Sequence, residues 1–162
     1  MRKITIRHFI VLLTAVLISP IAAADDADDI RAVVDVYLAT EGSDLKKQAS
    51  LMTDDRIFIN QGRRQTNNVA NMEGQIAASE RNRELDPKTT LSVNGEDVII
   101  RVYGNAAVAS FYRYWNVLAS AESIRAGNAP SGPPDDIVTL VLAKSGGDWK
   151  IVHTHQSALS NN

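Results

Sequence analysis

Trp149-Lys150-Ile151-Val152-His153-Thr154-His155-Gln156-Ser157 follows a Ser145-Gly146-Gly147-Asp148 turn and reads as the last strand of a curved sheet. Alternate side chains of an extended chain share a face. Trp149, Ile151, His153, His155 and Ser157 are therefore expected on one side, and Lys150, Val152, Thr154 and Gln156 on the other. The first set begins as apolar as a core and ends in two imidazoles and a hydroxyl, the make-up of a pocket wall with a dry floor and a wet mouth. The second set suits solvent or a subunit contact. The stretch implies a small domain with a polar-lipped cavity.

Upstream, Ile137 to Ala143 is almost wholly apolar, which predicts a strand covered on both faces. Ala119 to Asp136 contains Gly127, Pro130, Gly132, Pro133 and Pro134 and reads as a long loop, either a rim over the pocket or a plain connection. Before it, Gly104-Asn105 joins two strand-like runs, Asp97 to Tyr103 and Ala106 to Leu118, in a tight hairpin. Pairing Tyr103 with Ala106 puts Val98, Ile100 and Val102 on one face with Ala107, Ala109 and Phe111. Arg113 and Trp115 continue that face, taken as the concave side, while Tyr112 and Tyr114 fall on the opposite face and suit a subunit interface. A slip of one residue would exchange the two sets.

The N-terminal half is helical. Ile30, Val33, Val34, Tyr37 and Leu38 follow the 3.6-residue period behind an acidic lead-in, Asp25 to Asp29, that complements a helix N-terminus. Gly42 ends this helix. Ser43 or Asp44 caps a second, which turns Leu45, Ala49 and Met52 inward and closes at Thr53-Asp54-Asp55. A brief strand, Arg56 to Asn60, and a polar loop, Gln61 to Asn68, lead to a third helix, Met72 to Leu85, with Met72, Ile76 and Ala77 inward. Asp86-Pro87 stops it, because the residue before proline resists the helical region.

Residues 1–24 have the parts of a secretory signal: Arg2, Lys3 and Arg7, then the apolar run Phe9 to Ile18, then Ala22-Ala23-Ala24 for cleavage. That run is too short to span a bilayer, which takes roughly 20 residues. The expectation is a cleaved, periplasmic or secreted protein with residues 25–162 as one domain and no membrane insertion after cleavage. Of 17 Lys and Arg three lie in the signal, leaving 14 against 19 Asp and Glu. This acidic balance argues against a nucleic-acid partner. The chain has no cysteine, so an ordinary hydrophobic core rather than disulfides must hold it.

The order of elements, closing in Trp149 to Ser157 after the Gly-Gly-Asp-Trp turn, with Gly74-Gln75-Ile76 opening the third helix, resembles the SnoaL-like members of the nuclear transport factor 2 superfamily. Within it the chain is most similar to the branch containing the association domain of calcium/calmodulin-dependent kinase. The resemblance covers most of the chain after Asp28. It implies an α+β fold, a cone-shaped barrel whose strongly curved, mostly antiparallel sheet wraps around about three N-terminal helices, with a deep pocket and a homodimer through the convex sheet face. That superfamily holds isomerases, cyclases, dehydratases, binding proteins and assembly domains, so the fold alone names no activity. Its isomerase and cyclase enzymes use a pocket carboxylate. Asp54 and Asp55 sit in a turn signal here, and no catalytic set can be named.

The candidate pocket residues are His153, His155, Trp149, Arg113, Trp115 and Ser157. Two imidazoles at i and i+2 on a strand point the same way and can line a cavity or bridge a metal. With no thiolate and no third histidine outside the signal, neither a metal nor another cofactor is expected. Arg113 facing inward could grip a carboxylate or pair with one from a helix. The sequence reading is a small-molecule-binding pocket protein. Two alternatives stand beside it: a lyase- or isomerase-type enzyme with a pocket histidine as general base, and a dimeric assembly module without a ligand.

Overall fold

The computed structural model describes residues 20–128 and 132–160. In chain order its elements are α1 (Pro20–Glu41), α2 (Leu45–Ala49), β1 (Met52–Asn60), β2 (Arg63–Gln65), α3 (Asn68–Leu85), β3 (Thr90–Tyr103), β4 (Ala106–Leu118), α4 (Ala121–Arg125), β5 (Asp136–Ser145) and β6 (Asp148–Ala158). The strands form one open sheet in the order β2-β1-β6-β5-β4-β3. Every neighbouring pair is antiparallel except β1 and β6, which run parallel. This is the expected α+β architecture. Most of the candidate signal, residues 1–19, lies outside the described residues, and its last residues open α1.

The core forms where α1 lies on the sheet. Ile30, Val34 and Tyr37, spaced to one helix face, are buried with Ala107, Ala109 and Phe111 of β4, Val138, Leu140 and Leu142 of β5, and Trp149 and Ile151 of β6. Tyr37 meets Phe111 edge to face, ring centroids 6.3 Å apart. Helix and sheet approach closely at the end of α1. A Cβ on Gly42 would stand 2.6 Å from the Leu91 carbonyl oxygen, so only glycine fits there. Asp44 caps α2, accepting from the Lys47 amide at 3.0 Å.

Several boundaries differ from the sequence reading for local reasons. Asn67 caps α3, accepting from the Ala70 amide at 3.0 Å, so that helix starts at Asn68 rather than Met72. β1 begins at Met52, which pairs in parallel with Ile151; the register then shifts across Thr53-Asp54-Asp55 and pairing with β6 resumes at Ile57, so the expected turn is an irregular part of the strand. The polar loop contains a hairpin in which Gln61 and Gly62 adopt φ of 49° and 74°, as a tight turn between twisted strands requires. β3 starts at Thr90 rather than Asp97, because its pairing with β4 continues past a bulge between Glu96 and Ile99. The long loop carries α4, capped by Ser120. In β5, Val138, Leu140 and Leu142 are buried, but Ile137 on the other face is 37% exposed, so one face of this apolar strand lacks a cover among the described residues.

One carboxylate ties three elements together. Asp86, which caps the C-terminus of α3, accepts through Oδ2 from Thr89 Oγ1 at 2.6 Å, from Ser120 Oγ at 3.1 Å and from Ser123 Oγ. These bonds, Ser123 first and Thr89 second, hold its carboxyl down at about 2.

The closing strand holds the largest departure. Leu142 pairs with Ile151 and Val141 with His153, so Val152 is a bulged extra residue. One added residue inverts the alternation beyond it. Trp149 and Ile151 point into the core as expected. After the bulge it is Thr154 and Gln156 that are buried, at 0% and 7% exposure.

Candidate functional site

At the end of the sheet where β1, β4, β5 and β6 open away from α1, a cleft of about 370 Å³ lies between their concave face and α3. That is within the range of roughly 300–1,000 Å³ typical of small-molecule sites. Its walls come from Glu41 at the end of α1, Phe58 and Asn60 of β1, Gln65 of β2, Asn71 and Gln75 of α3, Arg113 and Trp115 of β4, Asp136 of β5 and Gln156 of β6. Pro133 and Pro134, at the end of the long loop, form part of the rim.

Arg113 is the centre of the charged wall. Its Nε donates to Asp136 Oδ1 at 2.8 Å and its Nη2 to Oδ2 at 2.6 Å, while Nη1 lies 3.2 Å from Glu41 Oε1. The second oxygen of Glu41 accepts from Gln48 Nε2 at 2.5 Å. With its oxygen turned toward Arg113, the Gln156 carboxamide accepts from Nη1 at 3.2 Å and Nη2 at 3.1 Å. Burial by itself would pull this guanidinium down, but the hydrogen-bonded Asp136 carboxylate and the Glu41 carboxylate keep its affinity for the proton above the ordinary value. Burial also pushes the neighbouring Tyr37 phenol up, so it stays protonated.

A second guanidinium lies deeper. Arg56 is 2% exposed, donates to Thr154 Oγ1 at 3.1 Å and to Asn71 Oδ1 at 3.0 Å, and stacks 4.9 Å from the centre of the Phe58 ring. Arg113 lies likewise 4.7 Å from the Trp115 ring, so each aromatic ring of the wall carries a guanidinium on one face. Asn71 connects Arg56 to the mouth. Its Oδ1 also accepts from Gln75 Nε2 at 2.7 Å, and its Nδ2 donates to Gln65 Oε1.

The sequence-predicted site residues divide into three groups. Arg113 and Trp115 stand together on the cleft wall. Trp149 is in the core away from it, donating from Nε1 to Asp26 at 3.3 Å. His153, His155 and Ser157 are on the convex face, paired across strands with Val141, Thr139 and Ile137. His155 and Ser157 are exposed. Beyond the bulge the stretch therefore turns to the cleft the opposite set from the one read there. Tyr112 and Tyr114 lie on the convex side, as the hairpin register requires. Arg113 pairs with a helix carboxylate and a strand carboxylate together and so offers no open fork to a ligand anion. Among the described residues no three His, Cys, Asp or Glu side chains are grouped as metal ligands.

The residues that sequence reasoning missed are mostly carboxamides: Asn60, Gln65, Asn71, Gln75 and Gln156. One signal was present. Asn71 and Gln75 are four apart on a helix and share a face next to the buried Met72, where a solvated face would have been charged.

The sequence profile of the SnoaL-like domain family matches residues 30–161, and the chain belongs to that family. Solved structures agree on the fold. A nuclear transport factor 2 (NTF2)-like protein with a cystatin-like fold from Novosphingobium aromaticivorans matches with a TM-score of 0.66 at 14% identity, over 88% of this chain and 87% of that one. An NTF2-like superfamily protein from Salmonella enterica serovar Typhimurium gives 0.63 at 22% identity, over 86% and 96%. A candidate dehydratase of the NTF2-like family from Streptomyces avermitilis gives 0.63 at 14% identity, over 85% and 99%. No match was found among curated protein sequences.

Proposed function

We propose that this chain is an exported small-molecule-binding protein whose ligand occupies the cleft beside Arg113 and Trp115. One observation carries the reading. The cleft stays open although its charged groups are already paired and its aromatic rings already stacked, so the walls are held in position without a guest. Preorganised walls with few charges to desolvate favour binding. The histidine-base alternative loses its support, because His153 and His155 lie across the sheet from the cleft. Export rests on the basic start, apolar run and small residues of the first 24 positions.

The same chain is proposed to pair with a second copy through the convex face of the sheet. Ile57, Ile99, Tyr112 and Ile137 are exposed there by 39%, 54%, 37% and 37%, an apolar surface of the kind that subunits cover.

Tryptophan fluorescence tests the binding reading. Trp149 is shielded in the core, so a ligand entering the cleft changes the emission of Trp115, and Trp115→Phe removes that change. A metabolite extract that leaves the Trp115 emission unmoved and co-purifies with nothing in native mass spectrometry refutes the reading. N-terminal sequencing of protein recovered from the cell envelope or medium tests export; a chain still beginning at Met1 counts against it. Sedimentation velocity of Ile137→Asp tests pairing, with a shift from dimer to monomer expected.

A further inference from the structure

We infer that the ligand of this cleft is an uncharged, polyhydroxylated molecule of the saccharide class, an inference that rests on reading the cleft as a binding site. The first ground is charge. The guanidinium on the wall, Arg113, faces two carboxylates, and both oxygens of Glu41 are engaged, one by Arg113 and one by Gln48. The second guanidinium, Arg56, is bonded to Thr154 and Asn71 and has no carboxylate partner among the described residues, but it is buried behind the wall and does not line the cleft. An entering anion meets Asp136 and Glu41, and an entering cation meets Arg113. Neither finds an unpaired opposite charge among the described residues that line the cleft.

The second ground is the wall's hydrogen-bonding chemistry. Asn60, Gln61, Gln65, Asn71, Gln75 and Gln156 all line the cleft. A carboxamide donates and accepts from one plane, which matches a hydroxyl, a group that also does both. Asn71 is committed in the process: its Oδ1 accepts from Gln75 and Arg56, and its Nδ2 donates to Gln65. That arrangement fixes the two neighbouring amides and leaves Gln75 Oε1 as an acceptor and Gln65 Nε2 as a donor without a partner among the described residues. The pair suits adjacent hydroxyls. A wholly apolar guest would bury these groups without partners.

The third ground is shape. Phe58 and Trp115 add apolar ring surface between the amides, and the stacked guanidinium on each holds the ring in place. Sugar rings present a C–H face for such surfaces and a hydroxyl rim for the amides.

The test applies the purified chain to an array of neutral, acidic and amino-sugar glycans, followed by tryptophan-fluorescence titration with the strongest neutral glycan. Uncharged glycans are expected to be retained in preference to acidic ones. Gln75→Ala and Gln65→Ala are each expected to weaken binding by about tenfold. Gln75 is only half-buried and Gln65 is exposed, so both variants are expected to fold, with thermal midpoints confirming it. Preference for charged glycans, or affinity unchanged in both variants, overturns the saccharide assignment and leaves the cleft as a binding site. Silence of every glycan alongside a Trp115 response to the uncharged 1-naphthol does the same. Silence of the glycans and of 1-naphthol alike overturns the binding reading with it.

Discussion

Asp136 closes on Arg113 from the directly opposite position of the neighbouring strand, with two parallel hydrogen bonds of 2.8 and 2.6 Å. Both side chains are nearly inaccessible, so the pair is a structural device of the cleft wall before it is anything else. Asp136→Ala would leave the guanidinium with Glu41 as its one carboxylate partner in a desolvated site. A loss of about 3–5 kcal/mol in urea denaturation is expected. Arg113→Lys is not expected to preserve stability, since an ammonium cannot form the fork. A change below about 1 kcal/mol in Asp136→Ala would mean that water reaches the pair freely.

Asp86 predicts an acid-sensitive clasp. Its folded carboxyl titrates at about 2, against an ordinary 3.8. A group depressed on folding contributes stability that is complete above its unfolded value and lost as pH falls toward the folded one. The clasp should hold above pH 3.8 and release progressively toward pH 2. Asp86→Asn should flatten the stability profile in that interval, read by circular dichroism at a series of pH values. An unchanged slope would show that the three hydroxyls do not hold the carboxylate in solution.

His153 predicts a second pH effect, on the opposite face of the sheet. Burial, then the neighbouring His155 and Arg56, lower its affinity for the proton from the usual 6.5. The unfolded chain therefore takes up a proton before the folded one does, and the stability contribution is lost as pH falls below 6.5. His153→Gln should remove that part of the loss while leaving the fluorescence of Trp115 as it was. An NMR titration placing the imidazole at or above 6.5 would contradict the environment described.

Gly42 predicts a packing defect. The carbonyl oxygen of Leu91 belongs to backbone and cannot swing away from an added methyl group. Gly42→Ala is expected to cost about 1–3 kcal/mol in thermal or chemical denaturation. It should also loosen Glu41, the adjacent residue, from Arg113. Wild-type stability in this variant would mean that α1 and β3 sit farther apart than described.

How much of this could be read beforehand depended on where apolar residues marked a side. The Tyr103–Ala106 register was legible because Val98, Ile100 and Val102 and then Ala107, Ala109 and Phe111 alternate with more polar neighbours. That register carried Arg113 and Trp115 to the concave face. The α1 face was legible for the same reason, through Ile30, Val34 and Tyr37.

Past Val152 the signal ended. His153, Thr154, His155, Gln156 and Ser157 are all polar, so nothing in their hydrophobicity could reveal that the parity had changed. The bulge belongs to the pairing with β5 and β1, a tertiary property. The carboxamide wall was hidden for a related reason. Asn and Gln near a turn and a helix start usually satisfy local backbone, and only the packing of α3 against β1 gathers them around the cleft.

The bulge at Val152 also says how the concave face of such a sheet can be rewritten. Deleting that one residue would restore unbroken alternation, rotating both imidazoles inward and moving Thr154 and Gln156 to the outside while the remaining strands keep their places. An interior lined there by imidazoles and one lined by a hydroxyl and an amide are thus a single codon apart on the same scaffold.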